Sequence, residues 1–342
     1  MHFAMRLFFG FERNDDKEKL LSVGVPPYYK RGEKMKNTRL IVDGAIFIIL
    51  LLAALYIPII GIVLMLALPL LFIVFTMKYQ SKYAFLLLVV ASFVTSIVSS
   101  PLNIAITLMF GITGIVLGVM YRKQKSGVEI LLIGTLVYMI NIVVIYIVSV
   151  KLFEYNFVQQ FQAMFAQSIT QTEHFMKMTG AQIDEKQLQQ LKQFPQLIGY
   201  VIPSMIAIGS FMMAWLTQVV SAPILKRLRY PVQPRPPFRQ VQLPKSILFY
   251  YLIFLAISVF VKTEAGSYLY IVQLNLNVIF PLLMVVQGFS FILFYAHYKK
   301  FPKVVSILFV VIAMIVPIVF YIVSILGIID LGFSLRKRIQ SV

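Results

Sequence analysis

The chain has 342 residues, 60% apolar and only 13% charged, and 31 lysines and arginines against 13 acids give a formal charge of +18. That composition excludes an ordinary soluble domain, and the lack of any cysteine excludes disulfides, thiolate metal sites and a cysteine nucleophile. Several apolar stretches reach the ~20 residues that cross a bilayer core, so the sequence reads as an all-α, polytopic transmembrane helix bundle of the cell membrane.

The first 34 residues mix Phe3, Leu7, Phe8 and Phe9 with the charged run "ERNDDKEK". The apolar part is too short for a signal-peptide core. Arg31–Met35, "RGEKM", can be encoded by a purine-rich ribosome-binding sequence ahead of ATG. Met35 is therefore expected to be the natural start, with 1–34 a translated leader; the other reading is a disordered or interfacial cytoplasmic arm.

Spans follow from Ile41. The apolar run 41–77 is too long for one crossing and is broken by Pro58 and Gly61, which predicts a helical hairpin, 41–57 and 59–77. Segments 82–99 and 102–121 form a second pair around "SSPLN", followed by 128–150 and 197–221. Segments 246–261, 270–298 and 304–326 bring the total to about nine, or eight if one of the last is re-entrant. Pro281 makes the eighth a candidate for a kink. With the first span starting inside, 19 basic residues fall on the cytoplasmic side and eight outside. Nine spans leave the tail Arg336–Arg338 outside, against the positive-inside rule; a re-entrant eighth or ninth segment returns it to the cytoplasm.

Two soluble segments interrupt the spans. Residues 151–196 hold four basic and four acidic side chains, with Phe153, Phe157, Phe161 and Phe165 on one helical face. Gly180 ends that helix and Asp184 starts a second with Pro195 past its end, so an external helical hairpin is expected, packing its apolar face on its partner helix or on the membrane, or serving as a lid. Residues 222–245 carry six basic residues, six prolines and no acid, an extended linker at the anionic lipid surface. Its Lys226, Arg227, Arg229, Arg235 and Arg239, with Asp330, Arg336, Lys337 and Arg338, are the candidates for docking a partner or lipid.

Polar groups inside spans are default functional candidates. Asp43 lies one turn into the first span, close enough to the cytoplasmic interface to be solvated or paired with Arg39. Asn103, Tyr138, Asn141 and Asn275 are the candidate ligand-binding residues of an outward polar cavity. For each amide the competing reading is an interhelical hydrogen bond. Gly114 and Gly118 predict close helix packing. Glu129 and Asp330 read as isolated acids. No P-loop, HExxH motif or carboxylate pair within a span occurs, so no metal, cofactor or catalytic residue is expected and the chain reads as non-enzymatic. A nucleic-acid partner would need a soluble module.

The stretches "TRLIVDGAIFIILLLAALYIPIIGIVLMLALPL", "QGFSFILFYAHYKK" and "LGIIDLGFSLRKR" resemble the YybS-like family, uncharacterised membrane proteins of Gram-positive bacteria, from Met35 on. That family is distantly similar to the S components of energy-coupling-factor transporters, and the rod-shape protein MreD belongs to the same broad superfamily. The resemblance implies an S-component-like six-helix core, 35–221, with an outward small-molecule pocket, a transmembrane coupling protein and ATPases as partners, and three added C-terminal segments. The first span lacks the small-xxx-small alanine pair of that pattern: Ala45 is followed by Ile49, then Ala53. Two functions are thus expected: a subunit binding a small molecule or lipid for uptake, or a scaffold working with envelope-synthesis proteins.

Overall fold

The computed structural model describes residues 36–56, 58–98, 101–179, 185–234 and 236–340. The arm before Met35, Met35 itself, Gly180, Asp184 and Arg235 lie outside the described residues. Every regular element among those described is helical. They are α1 (Lys36–Tyr56), α2 (Pro58–Lys78), α3 (Ser81–Val98), α4 (Pro101–Arg122), α5 (Gly127–Leu152), α6 (Phe157–Met178), α7 (Glu185–Arg227), α8 (Lys245–Phe260), α9 (Tyr268–Tyr298), α10 (Lys303–Ile315), α11 (Pro317–Phe333) and α12 (Leu335–Gln340). Five helices are long and apolar enough to cross a membrane, Ser81–Val98, Asn103–Arg122, Gly127–Leu152, Leu188–Arg227 and Tyr268–Tyr298. A sixth is made if the bent pair Val304–Ala313 and Pro317–Phe333 is one span, and Leu40–Ala53, Leu68–Lys78 and Lys245–Phe260 are shorter apolar helices. Each of the nine segments read from the sequence falls on helix among the described residues, the ninth on two helices separated at Val316, but fewer than nine have the length of a full crossing.

Prolines decide two departures from the expected spans. Pro195 was expected past a helix end, yet α7 runs through it for 43 residues. Proline's φ is itself helical, so it costs a hydrogen bond and steric strain without forcing a stop. Here α6 lies alongside, and Gln162 Nε2 donates to the Pro195 carbonyl at 3.0 Å. Pro317 does the opposite. The expected ninth span breaks at extended Val316 (φ −96°, ψ 109°), with Pro317 opening α11, and the two halves are bent by 109°.

The chain divides into two compact units, one of residues up to Ile145 with Ser210–Gln233, the other Tyr146–Gly209 with Pro234–Val342. The external hairpin therefore sorts with the C-terminal segments, not with the six-span block 35–221.

In the first unit α4 packs on α2 and α3. The expected glycine contact is there: a Cβ on Gly114 would stand 2.5 Å from the Pro69 carbonyl oxygen, and one on Gly118 2.6 Å from Thr76 Cβ. Leu51, Phe72, Phe75, Leu88, Phe110 and Tyr138 form the buried core. Asp43 accepts from Lys78 Nζ and from Tyr79 Oη at the end of α2; the side chain of Arg39, its expected partner, lies outside the described residues. Glu129 is not isolated. Its carboxylate accepts from Ser126 N at 2.9 Å while its own N–H donates to Ser126 Oγ at 3.2 Å, a reciprocal cap on α5.

In the second unit Leu248, Tyr251, Phe254, Met284 and Leu331 form one core between α8, α9 and α11, and Val285, Phe289, Ala313 and Val323 a second. The hairpin is tied by Phe165 against Phe194, with centroids 5.9 Å apart, and by Glu173 between Lys177 and Lys192, both at 2.9 Å. Those two ammonium groups hold the Glu173 carboxyl below its ordinary pKa.

Candidate functional site

The closest approach in the second unit is the crossing of α9 and α11, and two glycines make it. A Cβ on Gly327 would lie 1.9 Å from the Met284 carbonyl oxygen, and one on Gly288 2.0 Å from that of Val323. Neither contact tolerates a side chain. Asp330 follows Gly327 by one helical turn and so arrives, fully buried, beside Gln287 and Ser290 of α9.

Asp330 Oδ2 accepts from Gln287 Nε2 and, at 3.0 Å, from Arg336 Nε. Arg336 reaches back because Ser334, just past α11, adopts the left-handed conformation (φ 52°, ψ 47°) and turns the chain. The guanidinium also donates to the Arg239 carbonyl at 3.0 Å and to Ser290 Oγ at 3.1 Å, and it lies 5.5 Å from the Phe294 ring centroid. Gln287 Oε1 accepts from Leu243 N at 2.9 Å. The Ser290 hydroxyl lies within bonding distance of the carbonyls of Phe238, at 2.8 Å, and Val241. One buried ion pair thus clasps the C-terminal tail, α9 and the linker 238–243 together. The tail is on the linker's side, which corrects the nine-span placement of Arg336–Arg338 on the opposite side.

A groove between α8 and the first half of α9 is the second feature. It has a volume of about 340 Å³, within the range of small-molecule sites. Tyr250, Phe254 and Phe280 line one end, while Ser258, Thr263 and Gln273 line the end near the turn joining the helices. Thr263 Oγ1 donates to Gln273 Oε1 at 2.9 Å, which leaves the Gln273 amide donors uncommitted to the protein. From Tyr250 to Val261 the helix rise amounts to about 16 Å.

The ligand candidates from the sequence are engaged in packing. In the first unit, Tyr138 is fully buried with its hydroxyl 2.9 Å from Thr217 Oγ1. Asn141 Nδ2 lies 3.2 Å from Thr113 Oγ1 and 3.3 Å from the Met109 carbonyl. Asn103, half-buried, opens α4 and its carbonyl accepts from Thr107; Thr113 is ten residues on, about 15 Å along the helix. A cavity in this unit, beside Phe47 and Leu87, measures about 10 Å³ and touches none of the three. It has room for one water at most.

Asn275, in the second unit, is saturated. Its Nδ2 donates to the carbonyls of Tyr200 and Ile271, each at 2.7 Å, and its Oδ1 accepts from Ser204 N at 2.8 Å and from the Ser204 hydroxyl. The carboxamide thus serves both members of an i, i+4 backbone pair flanking Pro203 in α7. Asn275→Ala is expected to cost ~1–3 kcal/mol in a detergent thermal melt, because buried backbone groups lose their partner.

Of the docking candidates, Lys226, Arg227, Arg229, Lys337 and Arg338 are exposed and Arg239 half-buried. Asp330 and Arg336 are buried against each other and out of a partner's reach. Sequence reasoning missed Ser290 and the linker backbone of Phe238, Val241 and Leu243. Their only signal was the spacing Gln287, Gly288, Ser290 opposite Gly327 and Asp330.

Apolar helices of membrane-spanning length, with large side chains such as Phe93 and Ile97 exposed on their surface, define an integral, multi-pass α-helical membrane protein. The chain belongs to the family of predicted membrane proteins DUF2232, whose model matches residues 45–331. It is 30% identical over 311 residues to the uncharacterized protein YybS of Bacillus subtilis strain 168, an alignment covering 90% of this chain and all of that protein. No solved structure matches.

Proposed function

We propose that the protein is a non-enzymatic membrane component that binds a single-chain amphiphile or lipid, and that the α8–α9 groove is its site. The carrying observation is the groove itself: a cleft of about 340 Å³ between α8 and α9 whose walls are almost wholly aromatic and aliphatic, among them Tyr250, Phe254, Leu276 and Phe280. Lipid tails are as apolar as the groove walls, so burial alone gives a ligand no advantage over bulk lipid. Selectivity then rests on the shape of the groove, which closes toward the turn where Thr263 and Gln273 are paired. In an uptake role of the S-component kind, a separate transmembrane protein and its ATPases would supply the energy.

A photoactivatable fatty-acyl probe, applied to membranes and mapped by peptide, tests this. The wild type is expected to be labelled on α8 and α9, and Leu276→Trp, which fills the groove, to lose that labelling. Equal labelling of the variant, or no labelling of these helices, contradicts the proposal.

The clasp favours a second reading, a scaffold of an envelope or morphogenetic complex, because it holds the linker at Arg239 beside the start of the exposed Lys337–Arg338 tail. Purification in mild detergent separates the two. A retained amphiphile or an ATPase pair supports uptake, and envelope-synthesis proteins support the scaffold.

A further inference from the structure

The external hairpin carries an apolar stripe that its own fold leaves largely exposed. On α6 the half-buried residues Val158, Gln162, Ile169, Glu173 and Met176 share the face turned to α7. Roughly 100° round the helix lies a second row: Phe157, Phe161, Met164, Ser168 and Phe175, all exposed, Met164 at 69% and Phe175 at 67%. Met178 extends it. Lipid is not the natural cover for this row. A 43-residue α7 is twice what a bilayer core needs. Its leading part, carrying Gln189, Gln190, Lys192, Gln193 and Gln196, is too polar to be submerged, and α6 packs alongside that part.

We propose that this stripe is the interface of a symmetric homodimer. Taking about 200 Å² for a fully exposed large side chain, its three phenylalanines and two methionines expose roughly 600 Å². That stands at the upper end of the ~300–600 Å² of the largest apolar patch on a typical monomer, a patch that is often functional. It matches the ~65% apolar share of the ~800 Å² that each partner buries in a standard interface. Charge selects a second copy as the occupant. The chain as a whole carries +18, but residues 151–196 balance four basic against four acidic groups, so two copies meet there without net repulsion.

Two copies inserted in the same direction are related by a two-fold axis along the membrane normal. A helix running along that axis meets its own counterpart residue for residue. Because the chain has no cysteine, single-cysteine variants report the contact directly. Phe161→Cys, Met164→Cys and Ser168→Cys, oxidised in membranes with copper–phenanthroline, are expected to give an adduct of twice the 39.1 kDa chain. Ala163→Cys, on another face, is expected to give none. Adding Phe157→Ser and Phe175→Ser to Ser168→Cys is expected to abolish the adduct. Absence of adduct at all three stripe positions, equal adduct at Ala163, or an adduct of another mass marking a different partner overturns the proposal.

Discussion

Arg336→Ala is expected to destabilise the C-terminal unit by about 3–5 kcal/mol, the cost of leaving a buried charge uncompensated. Asp330 is fully buried and Arg336 is the cation paired with it. The same substitution strips donors from the Arg239 carbonyl and from Ser290 Oγ. Asp330→Ala is expected to cost a comparable amount, since it leaves the guanidinium buried without its anion. The double variant Asp330→Leu/Arg336→Met is expected to recover much of the loss, because well-packed apolar residues commonly replace a buried ion pair at little cost. Thermal unfolding in detergent measures all three. Trypsin cleavage after Arg239 gives an independent reading: faster in either single variant, because the linker is no longer clasped. Single variants that melt like the wild type would show that the pair does not hold the unit together.

Gly327→Leu is the second large effect, expected at about 3 kcal/mol or more, the upper end of overpacking costs. The obstacle is backbone: the Met284 carbonyl would stand 1.9 Å from the new Cβ, so α9 and α11 must separate and Asp330 is carried away from Gln287. Gly209→Ala in α7 is the control, since nothing lies within 4 Å of its Cβ position. It is expected to be neutral or to stabilise by up to ~1 kcal/mol through helix propensity. The same melts measure both.

The helical membrane class, most helix boundaries and the Gly114–Gly118 contact were legible in the sequence, because hydropathy and small-residue spacing are local signals. Prolines were not. Pro195 and Pro281 lie within helices and Pro317 breaks one, although proline's intrinsic chemistry is the same at each. The break at Pro317 lets α11 meet α9 at the Gly288–Gly327 crossing and seats Asp330 in its ion pair, so tertiary packing chose among outcomes that local rules left open. The amides show the same limit. Asn275 announces a polar group at the bilayer's depth, but its partner is the backbone at Tyr200 and Ser204, some seventy residues earlier. Backbone acceptors such as the Arg239 carbonyl have no sequence signature. The groove was illegible too, since Thr263 and Gln273 become neighbours only once α8 and α9 pack.

The clasp depends on a C-terminal segment that turns at Pro317 and brings the tail back to the linker at Arg239. Gln240→Cys and Lys337→Cys, introduced singly into the cysteine-free chain and probed with a membrane-impermeant maleimide, test this directly. Both are expected to be protected in intact cells and labelled together once the membrane is opened. Labelling of Lys337→Cys in intact cells while Gln240→Cys stays protected would place the tail across the membrane and contradict the fold of the unit.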